Sequence, residues 1–236
     1  MQEAAVSYLL NSGFAVKINR TLLVFDYYLD PENTIPQAIK ESDTVYFFSS
    51  HRHFDHFNPL IGQFEAQVKQ YFLSFDIENE KGAKQIPADK SVYLKAYDSY
   101  HHDEIKIKTY SSTDEGISFL VEIAGWSIFH AGDFNWWHWK GDLEENIKFA
   151  KNGFMKQLKK MFDLSADIAF FPVDSRMEEF SDLGAGEFCK VTNVKNLIAM
   201  HAHGVVWEPK ADFFAEGKAI PTWCPVKSGD TRKFNK

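Results

Sequence analysis

Cysteine is scarce in this chain of 236 residues, with only Cys189 and Cys224, and their separation matches no metal-ligand spacing. A disulfide-stapled scaffold is therefore not expected, and both thiols read as reduced. Long apolar runs are also missing, since none approaches the roughly 18 residues of a membrane span. Residues 1–10 lack a basic segment followed by a long apolar one. No secretory leader is expected, and the protein reads as cytoplasmic with no membrane partner. Linkers rich in Pro, Gly or Ser, low-complexity tracts and internal repeats are absent, so a single domain over residues 1–236 is expected. The formal charge of −7 leaves no basic excess for neutralising phosphates. That argues against nucleic acid, leaves a small-molecule substrate open, and says nothing of oligomeric state.

Aromatic residues, in contrast, are plentiful: they make up 16% of the chain, with 22 Phe. Large aromatic side chains favour strands and dominate core burial, so a sheet-rich interior is expected. Alternation of Val6, Tyr8 and Leu10, a turn at Asn11-Ser12-Gly13, and alternation of Phe14, Val16 and Ile18 predict a hairpin. Residues 21–25 add a third strand ending at Asp26. A short helix over 33–41 leads into Val45-Tyr46-Phe47-Phe48, a run apolar on both faces, as in a covered central strand. Asn58 and Pro59 provide an N-cap and first-turn proline for a helix carrying Leu60, Phe64, Val68 and Tyr71 on one face. Further strands are expected over 71–75, 92–96, 105–110, 117–123, 126–131, 167–173 and 196–200. An amphipathic surface helix is expected over 144–162.

Between the central run and Asn58 stands the densest group of potential ligands, His51, His53, Asp55 and His56. Imidazoles and a carboxylate suit zinc and neighbouring first-row metals. If the strand continued, His51 and His53 would project to one side by its period of two, with Asp55 and His56 in the turn beyond. Each pair could then serve one ion.

The string His51-Arg52-His53-Phe54-Asp55-His56 resembles the signature of the metallo-β-lactamase fold superfamily of metal-dependent hydrolases. The resemblance implies an α/β fold, a four-layer α/β/β/α sandwich. It also implies roles for later residues. Asp133, ending Phe129-His130-Ala131-Gly132-Asp133, resembles the bridging aspartate. His201, ending Leu197-Ile198-Ala199-Met200-His201, resembles the final histidine ligand, although His203 shares its alternation phase. Asp26 is similar to the acidic residue that precedes the metal loop and supports it. On this pattern His51, His53 and Asp133 surround one metal position, and Asp55, His56, Asp133 and His201 the other. The cofactor is zinc, one or two ions, with manganese or iron as alternatives.

The pattern departs from the superfamily at one point. Where another histidine is usual, Tyr110 or Thr113 stands, depending on alignment; Asp114, His101 and His102 are the nearby substitutes. The implied activity is hydrolysis of an ester, lactone or phosphoester by metal-activated water, which Asp55 could orient as a catalytic residue. The layout looks most like the lactonase-like branch related to ascorbate-phosphate lactonases. The alternatives are a phosphodiesterase or nuclease of the same fold and a non-catalytic metal-binding protein with a degenerate site. Trp136, Trp137 and Trp139 are candidates for a pocket rim, and Arg176 for an anion holder.

Overall fold

The computed structural model describes residues 2–210, 213–214 and 219–236. The chain is mixed α/β and divides into two compact units, residues 1–95 with 227–236, and residues 96–226. Among the described residues no helix is long and apolar enough to cross a membrane.

The first unit begins with β1 (Glu3–Tyr8), β2 (Phe14–Ile18) and β3 (Thr21–Phe25), paired antiparallel as the alternation predicts. Helix α1 (Thr34–Lys40) follows, its first N–H groups received by the Asp30 carboxylate at 2.8 Å each. β4 (Thr44–Ser49), β5 (Val68–Ser74) and β6 (Ser91–Leu94) then continue the sheet in parallel, and Thr231–Asn235 closes its other edge beside β1. β4 is buried along nearly all its length, with Tyr46 and Phe47 on opposite faces each only 1% exposed. Phe25, Phe48 and Phe72 stack across the three central strands at centroid separations of 4.6 and 5.2 Å. Such contacts add about 0.5–1.5 kcal/mol per pair beyond burial.

One expected element is different. The segment after the histidine loop is a six-residue 3-10 turn, Pro59–Phe64, and Val68 and Tyr71 belong to β5. Asn58 does cap that turn, its side chain accepting from Leu60 N–H at 3.0 Å. The apolar spacing that suggests one helix is shared between a tight crossover and a strand. Gly62 shows why the crossover is tight: a Cβ there would lie 2.1 Å from the Gln85 carbonyl oxygen. So short a turn has little macrodipole to offer the neighbouring loop.

The second unit repeats the plan with different residues. β7 (Ser99–His102), β8 (Ile105–Ser111), β9 (Ile117–Ile123) and β10 (Trp126–His130) form an antiparallel meander. Helix α2 (Glu144–Leu158) and the two-residue β11 (Ser165–Ala166) precede β12 (Ile168–Pro172); α3 (Leu183–Val191) and β13 (Asn193–Val194) precede β14 (Leu197–Met200) and β15 (Thr222–Trp223). β10, β12, β14 and β15 run parallel, while β11 and β13 pair separately. Phe188 of α3 stacks on Phe129 and Phe171 at 5.0 and 4.8 Å, and Phe154 of α2 stacks on Phe134 at 4.9 Å. These contacts place both helices on one face of the sheet. In each unit the polar residues of interest follow the C-terminal ends of parallel strands, where side chains of successive loops gather in open α/β sheets.

Candidate metal centre

In the first unit, β3 ends at Asp26 and β4 at Ser49, and the Asp26 N–H is bonded to the Phe48 carbonyl at 2.8 Å. This pairing puts a carboxylate under the loop that starts at Ser50. Asp26 accepts the Ser50 N–H, the Ser50 hydroxyl and His56 Nδ1, each at 2.7 Å. It is 1% exposed and holds φ at +44°, a left-handed conformation more common for Asp than for most side chains. The Ser50 hydroxyl also reaches His51 Nδ1 at 3.0 Å. Asp26 and Ser50 thus engage one nitrogen of each buried histidine, which sets the direction of the other.

His51 Nε2 faces His53 Nδ1 at 3.0 Å. The two rings meet because the chain turns, not because of strand alternation: β4 has already ended, and the His53 carbonyl receives the N–H groups of His56 and Phe57 at 3.0 and 2.9 Å. Asp55 is half-buried. Its Oδ2 accepts from Asn11 Nδ2 at 2.9 Å and lies 3.8 Å from His56 Nε2. The first unit therefore brings His51, His53, Asp55 and His56 into one cluster.

In the second unit, β10 leads to Asp133 through Gly132 at φ +55°, the positive φ that lets the chain turn sharply here. β14 leads to His201, also left-handed at φ +61°. His201 Nε2 lies 3.0 Å from Asp133 Oδ1. Burial works against charging His201, but the Asp133 carboxylate, by charge and hydrogen bond, together with Asp174 raises its pKa to about 10. His203 is partly exposed, and burial outweighs Asp174 in lowering its pKa.

Asp174, following β12, was not singled out from the sequence. Its carboxylate is fully buried, accepts the Arg176 N–H at 2.9 Å, and receives Arg176 Nε at 2.9 and 3.2 Å and Nη2 at 2.5 Å. Burial pushes its pKa up, yet the bonds from Arg176, with the His201 ring 3.7 Å away, hold it well below the usual carboxylate range. The Arg176 guanidinium is thus bonded to Asp174 and lies 5.5 Å from the Trp139 ring. Trp137 donates its indole N–H to the Asp133 carbonyl at 3.1 Å and is nearly parallel to Trp139.

Other candidates separate clearly. His130 is buried against Phe170, and its Nδ1 accepts from Gly132 N–H, a packing role. The Thr113 hydroxyl donates to the Asn135 carbonyl and accepts its N–H, and the Tyr110 ring lies 5.1 Å from the Lys108 ammonium. Each is thereby given a partner within its own unit. Ser50, Asn11 and Asp174 went unassigned in the sequence. Only Asp174 had a readable signal, since it follows a wholly apolar strand as Asp26 does.

No protein-family model matches the chain, and no curated protein matches it in sequence. Its fold is shared with solved structures. A metallo hydrolase from the hyperthermophilic archaeon Ignicoccus hospitalis is 15% identical, with a TM-score of 0.65 and 99% of each chain covered. A metallo-β-lactamase fold protein from Bacillus subtilis is 12% identical, with a TM-score of 0.58, covering 99% of this chain and 100% of that one. A diiron β-hydroxylase from Streptomyces venezuelae is 11% identical, with a TM-score of 0.59, covering all of this chain and 55% of that one. The chain has the metallo-β-lactamase fold. At these identities the likeness concerns fold, and the third structure shows that the fold carries more than one chemistry.

Proposed function

We propose that the chain is a metal-dependent hydrolase in which His51, His53, Asp55 and His56 of the first unit act with Asp133 and His201 of the second as ligands of one or two divalent ions. The observation that carries this reading is the 3.0 Å approach of His51 Nε2 and His53 Nδ1. Two imidazole nitrogens on one tetrahedral zinc, each 2.0–2.1 Å from it, lie about 3.3 Å apart. The pair is therefore close to the spacing a cation requires. The donor set fits as well: imidazoles, two of them held through Nδ1 by Ser50 and Asp26, and carboxylates that carry compensating charge. Zinc is the first candidate, with manganese and iron as alternatives. In this reading residues 1–236 work as one domain.

A bound divalent ion supplies Lewis acidity and lowers the pKa of a water from 15.7 to about 7 in favourable zinc sites. The remaining tasks fall to the chain. Asp26 and Ser50 keep His56 and His51 turned outward from the sheet end through their Nδ1 atoms. Asp55, steadied by Asn11, orients the attacking water. Trp137 and Trp139 present flat apolar surface for a small ester, lactone or phosphoester, in line with a lactonase-like role.

Thr113 and Tyr110 favour a second reading, since neither is an imidazole where a third one for the His51 and His53 position is usual, and the Thr113 hydroxyl is bonded to Asn135. That reading is a metal-binding protein without turnover. The test is a panel of lactones, carboxylic esters and phosphodiesters given to the protein reconstituted with zinc, manganese or iron. One class should be hydrolysed in a metal-dependent manner, and Asp133→Asn should lower that rate at least about 100-fold. Activity surviving the substitution rejects the ligand assignment, and a metal-loaded protein that hydrolyses none of them supports the second reading.

A further inference from the structure

His201 and His203 both follow β14, and both face the same carboxylate. Asp174 Oδ2 lies 3.7 Å from His201 Nδ1 and 3.5 Å from His203 Nε2. The two histidines differ in what else they touch. His201 is buried and turns Nε2 to Asp133 at 3.0 Å, whereas His203 is substantially exposed. Asp174 is held on both oxygens by Arg176 and by the backbone N–H of that residue. Backbone strain gathers around it: His201, His203 and Glu178 all have positive φ, at 61°, 50° and 55°. Non-glycine residues remain in such conformations when surrounding contacts hold them there, and they cluster at functional sites.

We propose that Asp174, clamped by Arg176, is a positioning residue that keeps His201 Nδ1 on its own side and so directs Nε2 toward Asp133, selecting His201 over His203 as the ligand. The inference rests on the metal-centre reading above and adds to it a residue that touches neither metal nor substrate. An asparagine at 174 keeps an oxygen for the Arg176 N–H. It cannot offer two accepting atoms to the guanidinium and still face an imidazole N–H, because one of its atoms is a donor.

The test uses the full chain with zinc as probe, in chelator competition, together with long-range 15N–1H spectra of the histidine rings in the metal-free protein. Asp174→Asn should weaken zinc about 10- to 100-fold, His203→Ala should leave affinity within about twofold, and His201→Ala should abolish the tight site. The spectra, recorded at about pH 11 so that the His201 ring is neutral, should show the proton on Nδ1 in the wild type and a shift toward the Nε2 tautomer in Asp174→Asn. If Asp174→Asn does not fold, Arg176→Met tests the clamp and should weaken zinc several-fold. Unchanged affinity in the folded Asp174 variant, or an equal loss from His203→Ala and His201→Ala, overturns the proposal. If wild type binds no zinc, the metal-centre reading fails by itself, and the ring spectra alone decide whether Asp174 orients His201.

Discussion

Asp26 accepts three buried donors while holding a left-handed backbone. Replacing it by Ala leaves the Ser50 N–H, the Ser50 hydroxyl and His56 without that acceptor, and each buried donor so stranded costs about 1–3 kcal/mol. Asp26→Ala should therefore lose about 3 kcal/mol or more in urea denaturation. Asp26→Asn, which tolerates the same φ and keeps one oxygen, should lose less; a loss below about 0.5 kcal/mol in the alanine variant would show that Asp26 does not organise the loop. Asn11 offers a complementary case. Asn11→Gly keeps φ +55° without strain and removes the bond to Asp55. Stability should change by less than about 1 kcal/mol while the hydrolytic rate falls about tenfold or more. Equal rates in the variant and wild type would show that the Asn11 bond does not position Asp55 for the chemistry.

The parallel strands depend on short crossovers, and the one after the histidine loop shows where local pattern misleads. Asn58 and Pro59 mark its start correctly, but Val68 and Tyr71 have the right spacing for a helix and lie in β5 instead. Parallel pairing with β4 and the close approach at Gly62 decide the outcome, and neither is visible within the segment. Tyr71 ties the two pieces together by donating its hydroxyl to the Ile61 carbonyl at 3.2 Å. Burial, with Glu65 adding, pushes its pKa up to about 12 from 10.0. Because the folded state holds this proton more tightly, its contribution to stability is complete below about pH 10 and declines as pH rises towards 12. The slope is at most about 1.4 kcal/mol per pH unit for one proton. Tyr71→Phe should flatten that part of the alkaline stability profile, measured by urea denaturation between pH 9 and 11.5. An unchanged profile would show that Tyr71 does not titrate differently on folding.

For the molecule as a whole, the sequence was most legible where chemistry and strand ends coincide. His51, His53, Asp55 and His56 stood out because metal-ligating residue types follow an apolar run, whereas Asp133 and His201 were named through the resemblance to the superfamily. The meander of β1 to β3 and the strands β8 to β10 were legible from alternation and turn residues. β7 and α3 were not read: β7 carries Tyr100, His101 and His102 without an apolar face, and α3 contains two glycines in nine residues. Ser50 also escaped, because a supporting hydrogen bond leaves no spacing signature in the chain. Nor does the metallo-β-lactamase fold by itself choose a reaction. The central proposal is that His51, His53, Asp55, His56, Asp133 and His201 are ligands of a divalent ion, and metal content tests it most directly. Protein purified without added metal, then equilibrated with zinc and freed of excess, should retain at least about one equivalent by elemental analysis, and His53→Ala, Asp133→Asn and His201→Ala should each retain measurably less. Less than about half an equivalent in the wild type, with no change on His53→Ala, would contradict the account.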